Sequence, residues 1–268
     1  MDRLRVDSVE IEYEVRGLGE PVLLIHPSLM VDGLVLPLLA QPDFASHYRV
    51  IHYYRRGYLG SSLGSEPLTI PREASDAAGL LRHLEVPNAH IVGHSMGGLI
   101  ALQLAVDAPE LVRSLALLEP PIRWVPSGKA AFEKANLPML NAYRSGNKRQ
   151  ALEMFGDNVF GPNWQDVVER SIPGSAEQAL NHMDTFIQEQ PAIQAWQFGP
   201  EQAALIRQPV LSVVGTRSNR MMKEGRDLLH SWLPQTEDFD PQSNHLLQIQ
   251  DPTGVAHALM EFWSRHGR

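Results

Sequence analysis

The sequence predicts an α/β protein with a mainly parallel sheet that is covered by helices on both faces. A continuously apolar segment at residues 22–25 is typical of a parallel strand buried on both faces, and residues 114–118 and 210–214 form two more largely apolar segments that predict strands. They alternate with helical segments such as residues 99–108, and this alternation is the pattern of a layered α/β domain. Residues 122–205 interrupt the pattern, because they contain no convincing strand and three or four weakly amphipathic helical stretches.

The first third of the chain contains mostly predicted strands. Residues 9–15 alternate apolar and acidic side chains, which indicates a half-buried antiparallel strand. Residues 48–53 predict another strand. Apolar positions recur at helical spacing in residues 71–84, and Pro71 suits the first turn of that helix.

A strand, a tight turn and a helix follow one another closely in the centre of the sequence. Residues 89–92 predict a short buried strand, residues 93–98 a turn, and residues 99–108 an apolar helix that ends before Pro109. After the strandless segment, the α/β alternation resumes. We expect a strand at 210–214, a helix at about 222–232, a short strand near 236–239 and a final helix from about Pro252.

Composition excludes several classes of function. With 31 acidic residues against 23 Lys and Arg, the formal net charge is −8, which argues against nucleic-acid binding. There is no cysteine, so disulfides, thiolate metal sites and cysteine nucleophiles are excluded. Residues 1–5 do not resemble a signal peptide, and no apolar run approaches the length of a membrane span. We therefore expect a cytoplasmic protein without a membrane partner.

The turn at residues 93–97 reads Gly-His-Ser-Met-Gly and matches the nucleophile-elbow pattern G-x-S-x-G. The pentapeptide is only moderately informative by itself, but here a buried strand precedes it and an apolar helix follows it. In that setting the turn lifts the hydroxyl of Ser95 to the top of the sheet.

Together, the strand, the elbow, the helix and the inserted helical segment resemble the α/β-hydrolase superfamily over nearly the whole chain. More narrowly, the sequence is similar to bacterial serine hydrolases with a helical cap, a branch of esterases, lactonases and haloperoxidases. The resemblance implies an eight-stranded, mostly parallel sheet flanked by helices. It implies a hydrolase core of residues 1–121 and 206–268 and a helical cap of residues 122–205. The segment 55–62 resembles a structural turn of this family.

The resemblance implies that Ser95 is the nucleophile and that the backbone N–H of Met96 donates to the oxyanion. A serine hydroxyl needs a general base, and in this fold the base follows the acid late in the chain. His245 stands seven residues before Pro252 and resembles the histidine of the loop between the last strand and the last helix. It is therefore the expected base, while His94 is expected to support the elbow.

The second oxyanion donor is expected in the loop after the strand at residues 22–25. Relatives usually have His-Gly there, whereas this chain has His26, Pro27 and Ser28. Pro27 has no N–H and cannot donate. Ser28 occupies the donor position, and Leu29 is the alternative.

The triad acid is where this chain departs most from its relatives. The usual position falls on Ser218, and neither Ser218 nor Asn219 can carry a negative charge. Some relatives place the carboxylate directly after the strand that follows the elbow helix, and that residue is Glu119 here. Glu119 is the expected acid, with Asp238 and Asp240 as alternatives.

These residues predict a serine hydrolase that cleaves a carboxylic ester or lactone of a small, largely apolar substrate through an acyl-enzyme. No metal and no organic cofactor is implied, and the expected partner is a small-molecule substrate, with a homodimer left open. Three alternatives remain: a carbon–carbon bond hydrolase of ring-cleavage products, a cofactor-free haloperoxidase or perhydrolase, and a ligand receptor that turns over slowly or not at all.

Overall fold

The computed structural model describes residues 1–266, with the backbone alone at 129–133 and 135. The strands are β1 (Asp2–Val6), β2 (Val9–Arg16), β3 (Glu20–Ile25), β4 (Tyr48–Tyr53), β5 (Ala89–His94), β6 (Val112–Leu118), β7 (Val210–Val213) and β8 (Thr236–Phe239). The helices outside the insertion are α1 (Asp32–Leu39), α2 (Pro42–His47), α3 (Ile70–His83), α4 (Met96–Asp107), α11 (Arg220–Trp232), α12 (Leu247–Gln250) and α13 (Pro252–His266).

The eight strands form one sheet in the order β1-β2-β4-β3-β5-β6-β7-β8. The pairs β1–β2 and β2–β4 are antiparallel, and all other neighbouring strands are parallel. This sheet confirms the predicted fold class. Strands β5, β6 and β7 are direct neighbours, so the residues that follow them meet at one edge of the sheet.

Helices cover both faces of the sheet, as the continuously apolar strands predicted. Leu23 of β3 packs in a core cluster with side chains of α3 and α4. Its neighbours Val22 and Leu24 point to the opposite face and pack with side chains of α1 and α13. Because successive side chains of a strand point to opposite faces, a strand buried on both sides must be apolar at every position.

Outside the cap, strand β1 and the helices α1, α2 and α12 were not predicted from the sequence. Strand β1 is an edge strand of mostly charged residues that pairs with β2, so it has little hydrophobic pattern. Helix α1 is apolar nearly all round and contains Pro37, and helix α2 has six residues. A uniformly apolar or very short helix has no clear 3.6-residue periodicity, which is the signal that identifies helices in a sequence.

Six helices lie between β6 and β7, where three or four were expected. They are α5 (Pro126–Arg144), α6 (Lys148–Val159), α7 (Trp164–Ser171), α8 (Ser175–Asn181), α9 (Met183–Ala195) and α10 (Pro200–Ala203). We call residues 122–205 the cap, and their separation from the rest of the chain as a domain stays a prediction. Side chains of the cap share a hydrophobic cluster with Leu29 and Met30 and with Leu246. Among residues 1–266, no helix is long and apolar enough to cross a membrane.

Candidate active site

Ser95 occupies the junction between β5 and α4 in a strained backbone conformation. Its φ of 52° and ψ of −118° lie where residues with a Cβ are rarely found. Its N–H donates to the carbonyl oxygen of Leu118 at 2.8 Å, which fixes the turn to the end of β6. Strain of this kind persists only where surrounding contacts enforce it, and it is concentrated at functional sites.

The glycines of the elbow are required by close backbone approach. A Cβ at Gly93 would collide with the carbonyl oxygen of Gly97, and a Cβ at Gly97 would collide with that of Ile25. The G-x-S-x-G pattern therefore reflects the tight packing of the turn against α4 and β3. Met96 is the first residue of α4, so its N–H has no acceptor within the helix.

Glu119 and His245 form a buried hydrogen bond. The Nδ1 of His245 donates to Oε2 of Glu119 at 2.5 Å, and the two residues are 4% and 1% exposed. The other carboxylate oxygen, Oε1, accepts the N–H of Gly215 at 2.7 Å. Glu119 follows β6, and Gly215 lies just beyond the neighbouring β7, so adjacent parallel strands place the carboxylate between them.

The hydrogen bond to Glu119 fixes the tautomer of a neutral His245. A carboxylate accepts only, so Nδ1 carries the proton and Nε2 is left with its lone pair. Ser95 and His245 line the same cavity. In the part of the chain that the structure describes, the Ser95 hydroxyl makes no hydrogen bond to the imidazole. Such bonds often tighten only when substrate is bound.

His94 connects the elbow to the loop that holds His245. Its Nε2–H donates to the carbonyl oxygen of His245 at 3.1 Å, and its Nδ1 accepts from Nε2 of Gln248 at 3.1 Å. Burial, and next the proximity of His245, holds the pKa of His94 well below the ordinary value. His94 is therefore neutral. Besides the elbow, which it was expected to support, it contacts the loop that holds His245.

The alternative acids have partners elsewhere. Asp238 accepts from Nε2 of His230 at 2.9 Å, and Asp240 forms an ion pair with Arg226. Both carboxylates are partly exposed, at 41% and 49%. In the usual acid position, Ser218 is buried and its N–H donates to Gly215, while Asn219 caps α11 through the N–H of Met222.

Ser28 lies beside the elbow in the loop after β3. Ser28 lines the same cavity as Ser95 and Met96. Its hydroxyl donates to Oε2 of Glu189 at 2.5 Å. Leu29, the alternative donor, is fully buried in the cluster with the cap and has a φ of 64°.

Sequence reasoning missed Glu189. It belongs to α9 in the cap, and its side chain is fully buried. Helix α9 has little amphipathic pattern, so a single Glu in it resembles an ordinary solvated residue. Only its contacts with Ser28 and Arg55, which are both distant along the chain, distinguish it.

The basic pair at residues 55 and 56 is engaged in buried ion pairs. Arg55 lies 2.8 Å from Glu73 and 2.7 Å from Glu189, and Arg56 lies 2.5 Å from Asp76. These contacts agree with a structural role for the segment 55–62. Burial raises the pKa of Glu73 to about 7 although Arg55 opposes the shift.

The cavity is lined mainly by apolar side chains from the cap and from the loops that follow the strands. Its apolar lining residues include Met30, Met96, Phe155, Val159, Phe160, Phe186, Ile193, Met221, Met222, Leu246 and Ile249. A largely apolar cleft with a few convergent polar groups is the usual form of a small-molecule site. Among the side chains that the structure describes, no group of three or more His, Asp or Glu is arranged to hold a metal ion.

Comparison with known proteins agrees with this architecture. A candidate esterase/lipase of Haemophilus influenzae is 24% identical over 255 residues, which cover 93% of this chain and 85% of the relative. RutD of Azorhizobium caulinodans, a candidate carbamate hydrolase, is 35% identical over 109 residues. That match spans 41% of this chain and 40% of the length of RutD.

The fold is shared with solved structures. The enol-lactonase of Burkholderia xenovorans LB400 superposes with a TM-score of 0.82 at 19% identity, covering 98% of this chain and all of that chain. The model of the alpha/beta hydrolase fold family matches residues 21–252, which include the elbow, Glu119 and His245. The chain therefore belongs to the α/β-hydrolase fold family and is a hydrolase.

Proposed function

We propose that this hydrolase is a serine esterase or lactonase with Ser95 as nucleophile, His245 as general base and Glu119 as the acid of the triad. The observation that carries the proposal is the hydrogen bond of 2.5 Å between His245 and Glu119 at a cavity that Ser95 also lines. A nucleophile, a base and a group that orients the base are the components of acyl transfer.

Each residue has a defined step in this mechanism. Rotation of the Ser95 hydroxyl toward Nε2 of His245 lets the imidazole take the proton while Oγ attacks the substrate carbonyl. The backbone N–H groups of Met96 and Ser28 stabilise the oxyanion, and the N-terminal end of α4 adds a favourable dipole. His245 then protonates the leaving alcohol. His245 then takes a proton from a water molecule that attacks the acyl carbonyl, and it returns this proton to Oγ of Ser95 as the bond to the acyl group breaks and the acid leaves.

Glu119 makes the imidazole a better base in two ways. It holds the proton on Nδ1, so Nε2 faces the reaction as an acceptor. Its charge stabilises the imidazolium that forms when His245 takes the serine proton. The N–H of Gly215 satisfies Oε1 of the buried carboxylate. Such a bond offsets part of the cost of burying a charge.

The cavity supports a small and largely apolar substrate, because apolar side chains outnumber the polar ones in its wall. The names of the relatives agree with this chemistry, since they include an esterase/lipase and an enol-lactonase. The test is a screen of 4-nitrophenyl esters, lactones and vinylogous diketones. Turnover of the diketones alone would favour carbon–carbon bond cleavage, and binding without turnover would favour a receptor.

The pH dependence of hydrolysis tests the base. Because His245 must be neutral to accept the serine proton, kcat/KM is expected to rise with pH through a single ionisation and then level off. The measurement is a pH profile with a substrate for which chemistry limits the rate. The profile is recorded from about pH 5 to 8. A flat profile over this range would argue against His245.

Substitutions in the cap test its role in substrate choice. Ile193 of α9 lines the cavity, and Ile193→Ala removes apolar volume there. We expect the ratio of kcat/KM for a hexanoyl ester to that for an acetyl ester to change on the order of tenfold in favour of the longer chain. The matched control is Leu180→Ala, since Leu180 packs within the cap and does not line the cavity. Equal loss on both esters with Ile193→Ala would indicate a structural role alone.

A further inference from the structure

A buried chain of polar contacts connects the cap to the loop after β3. The hydroxyl of Ser28 donates to one oxygen of Glu189 at 2.5 Å, and the other oxygen of Glu189 lies 2.7 Å from Nη2 of Arg55. The side chains of Glu189 and Arg55 are both 0% exposed. Helix α9 therefore holds a charged group against the loop that contains the expected oxyanion donor.

Arg55 fixes the backbone of the same loop. Its Nε donates to the carbonyl oxygen of His26 at 3.1 Å, and its Nη2 donates to that of Pro27 at 3.4 Å. Its backbone N–H donates to Nε2 of His26 at 2.9 Å, while Nδ1 of His26 donates to the Pro27 carbonyl at 2.6 Å. Two consecutive carbonyls before Ser28 are thus oriented by one guanidinium.

These contacts leave one donor of Ser28 for a reacting oxygen. Its hydroxyl already donates a hydrogen bond to Glu189, and the preceding residue, Pro27, has no N–H. The backbone N–H of Ser28 is the group that remains. An uncompensated carboxylate close to a developing oxyanion would raise the energy of the transition state. The ion pair with Arg55 offsets the charge of Glu189. Glu189 therefore contributes by fixing the position of the loop and not by its charge at the oxyanion.

We propose that Glu189 is a positioning residue that aims the backbone N–H of Ser28 at the oxyanion, so that the cap completes the oxyanion hole. This inference rests on the proposed function. Glu189 acts through the Ser28 hydroxyl on one side and through Arg55 and the carbonyls of His26 and Pro27 on the other. Phe186, Gln190 and Ile193 of the same helix line the cavity. Helix α9 therefore both contacts the substrate cavity and positions the backbone N–H of Ser28.

The test is Glu189→Gln, which keeps the size of the side chain and removes its charge. We expect kcat to fall on the order of 10- to 100-fold, less than the roughly 10²- to 10³-fold loss for an oxyanion donor that is removed outright. KM should change by less than about threefold, because the interaction acts in the transition state. The affinity for a trifluoromethyl ketone, which forms an oxyanion with Ser95, should fall by the same factor as kcat.

Two further variants separate positioning from stability. Asp76→Asn breaks the neighbouring buried ion pair with Arg56, which does not contact the loop after β3. It should lower Tm while kcat stays within about twofold of wild type. Ser28→Ala keeps the backbone N–H and removes the hydroxyl; we expect a loss of kcat of about five- to tenfold. Adding it to Glu189→Gln should cost no more than about twofold, because both changes act on the same contact between Ser28 and Glu189.

A folded Glu189→Gln variant with wild-type kcat would overturn the proposal. So would a loss of kcat without a matching loss of affinity for the trifluoromethyl ketone. If Glu189→Gln does not fold, Ser28→Ala decides the matter, and wild-type kcat in that variant overturns it. Reaction of the wild type with a fluorophosphonate, lost in Ser95→Ala, reports on the proposed function separately. A wild type inert to that probe and to every ester would overturn the proposed function together with this inference.

Discussion

Ser95→Ala is expected to leave the fold intact and to remove hydrolysis almost entirely. The loss in kcat should be on the order of 10⁵- to 10⁶-fold, because a missing nucleophile disables base and acid as well. The strained φ of 52° is held by the packing of the elbow, and alanine has the same Cβ as serine. The backbone strain should therefore be unchanged, and Tm should stay close to that of the wild type.

The measurement is turnover of the best ester together with labelling by a fluorophosphonate. The wild type should be labelled, and Ser95→Ala should not. The control is Ser218→Ala, which changes a buried serine in the loop after β7 and should cost less than about tenfold in kcat. Labelling that persists without Ser95 would contradict the assignment of the nucleophile.

Glu119→Gln is expected to lower kcat by about 10²- to 10⁴-fold with KM little changed. The position of Gly215 explains why an amide should be so harmful. The Gly215 N–H requires an acceptor, so it selects the orientation in which the amide oxygen faces Gly215. The NH₂ group then faces Nδ1 of His245, which must accept, and the proton moves to Nε2. In that tautomer the imidazole cannot take the proton of Ser95.

Asp238→Asn and Asp240→Asn are the matched controls. Asp238 lies in β8 and binds His230, and Asp240 directly follows β8 and binds Arg226. Each should change kcat by less than about threefold, because partly exposed ion pairs contribute little. A near-normal Glu119→Gln beside an inactive Asp238→Asn or Asp240→Asn would show that the acid is misassigned. If Glu119→Gln, Asp238→Asn and Asp240→Asn are all active, the enzyme works with a Ser–His dyad and no triad acid.

A second-site change offers a positive test of the same geometry. Ser218 occupies the position where the family resemblance places the usual acid, and in the loop after β7 its N–H donates to the carbonyl oxygen of Gly215. Ser218→Asp in the Glu119→Gln background should restore part of the lost activity. The same change in the wild type should not raise kcat, because His245 already has a carboxylate partner.

Local features of the sequence determined the fold class and the elbow. The strand at residues 22–25 is apolar at every position, and those at 114–118 and 210–214 are apolar at nearly every position, so burial on both faces was expected. The turn at Ser95 is encoded by two glycines that allow backbone atoms to approach closely, and the strand and helix that it joins are contiguous with it. Elements without periodicity, such as β1 and α1, could not be identified in this way.

Contacts between distant parts of the chain were decided only by the tertiary structure. The resemblance favoured Glu119 and left Asp238 and Asp240 as alternatives, whereas the strand order β5-β6-β7 brings Glu119 to His245 across 126 residues. The link from Glu189 to Ser28 has no local signal at all, because a buried charge is recognisable only by the groups that surround it. Sequence patterns record which face a residue presents, whereas hydrogen-bond partners depend on how strands and helices pack.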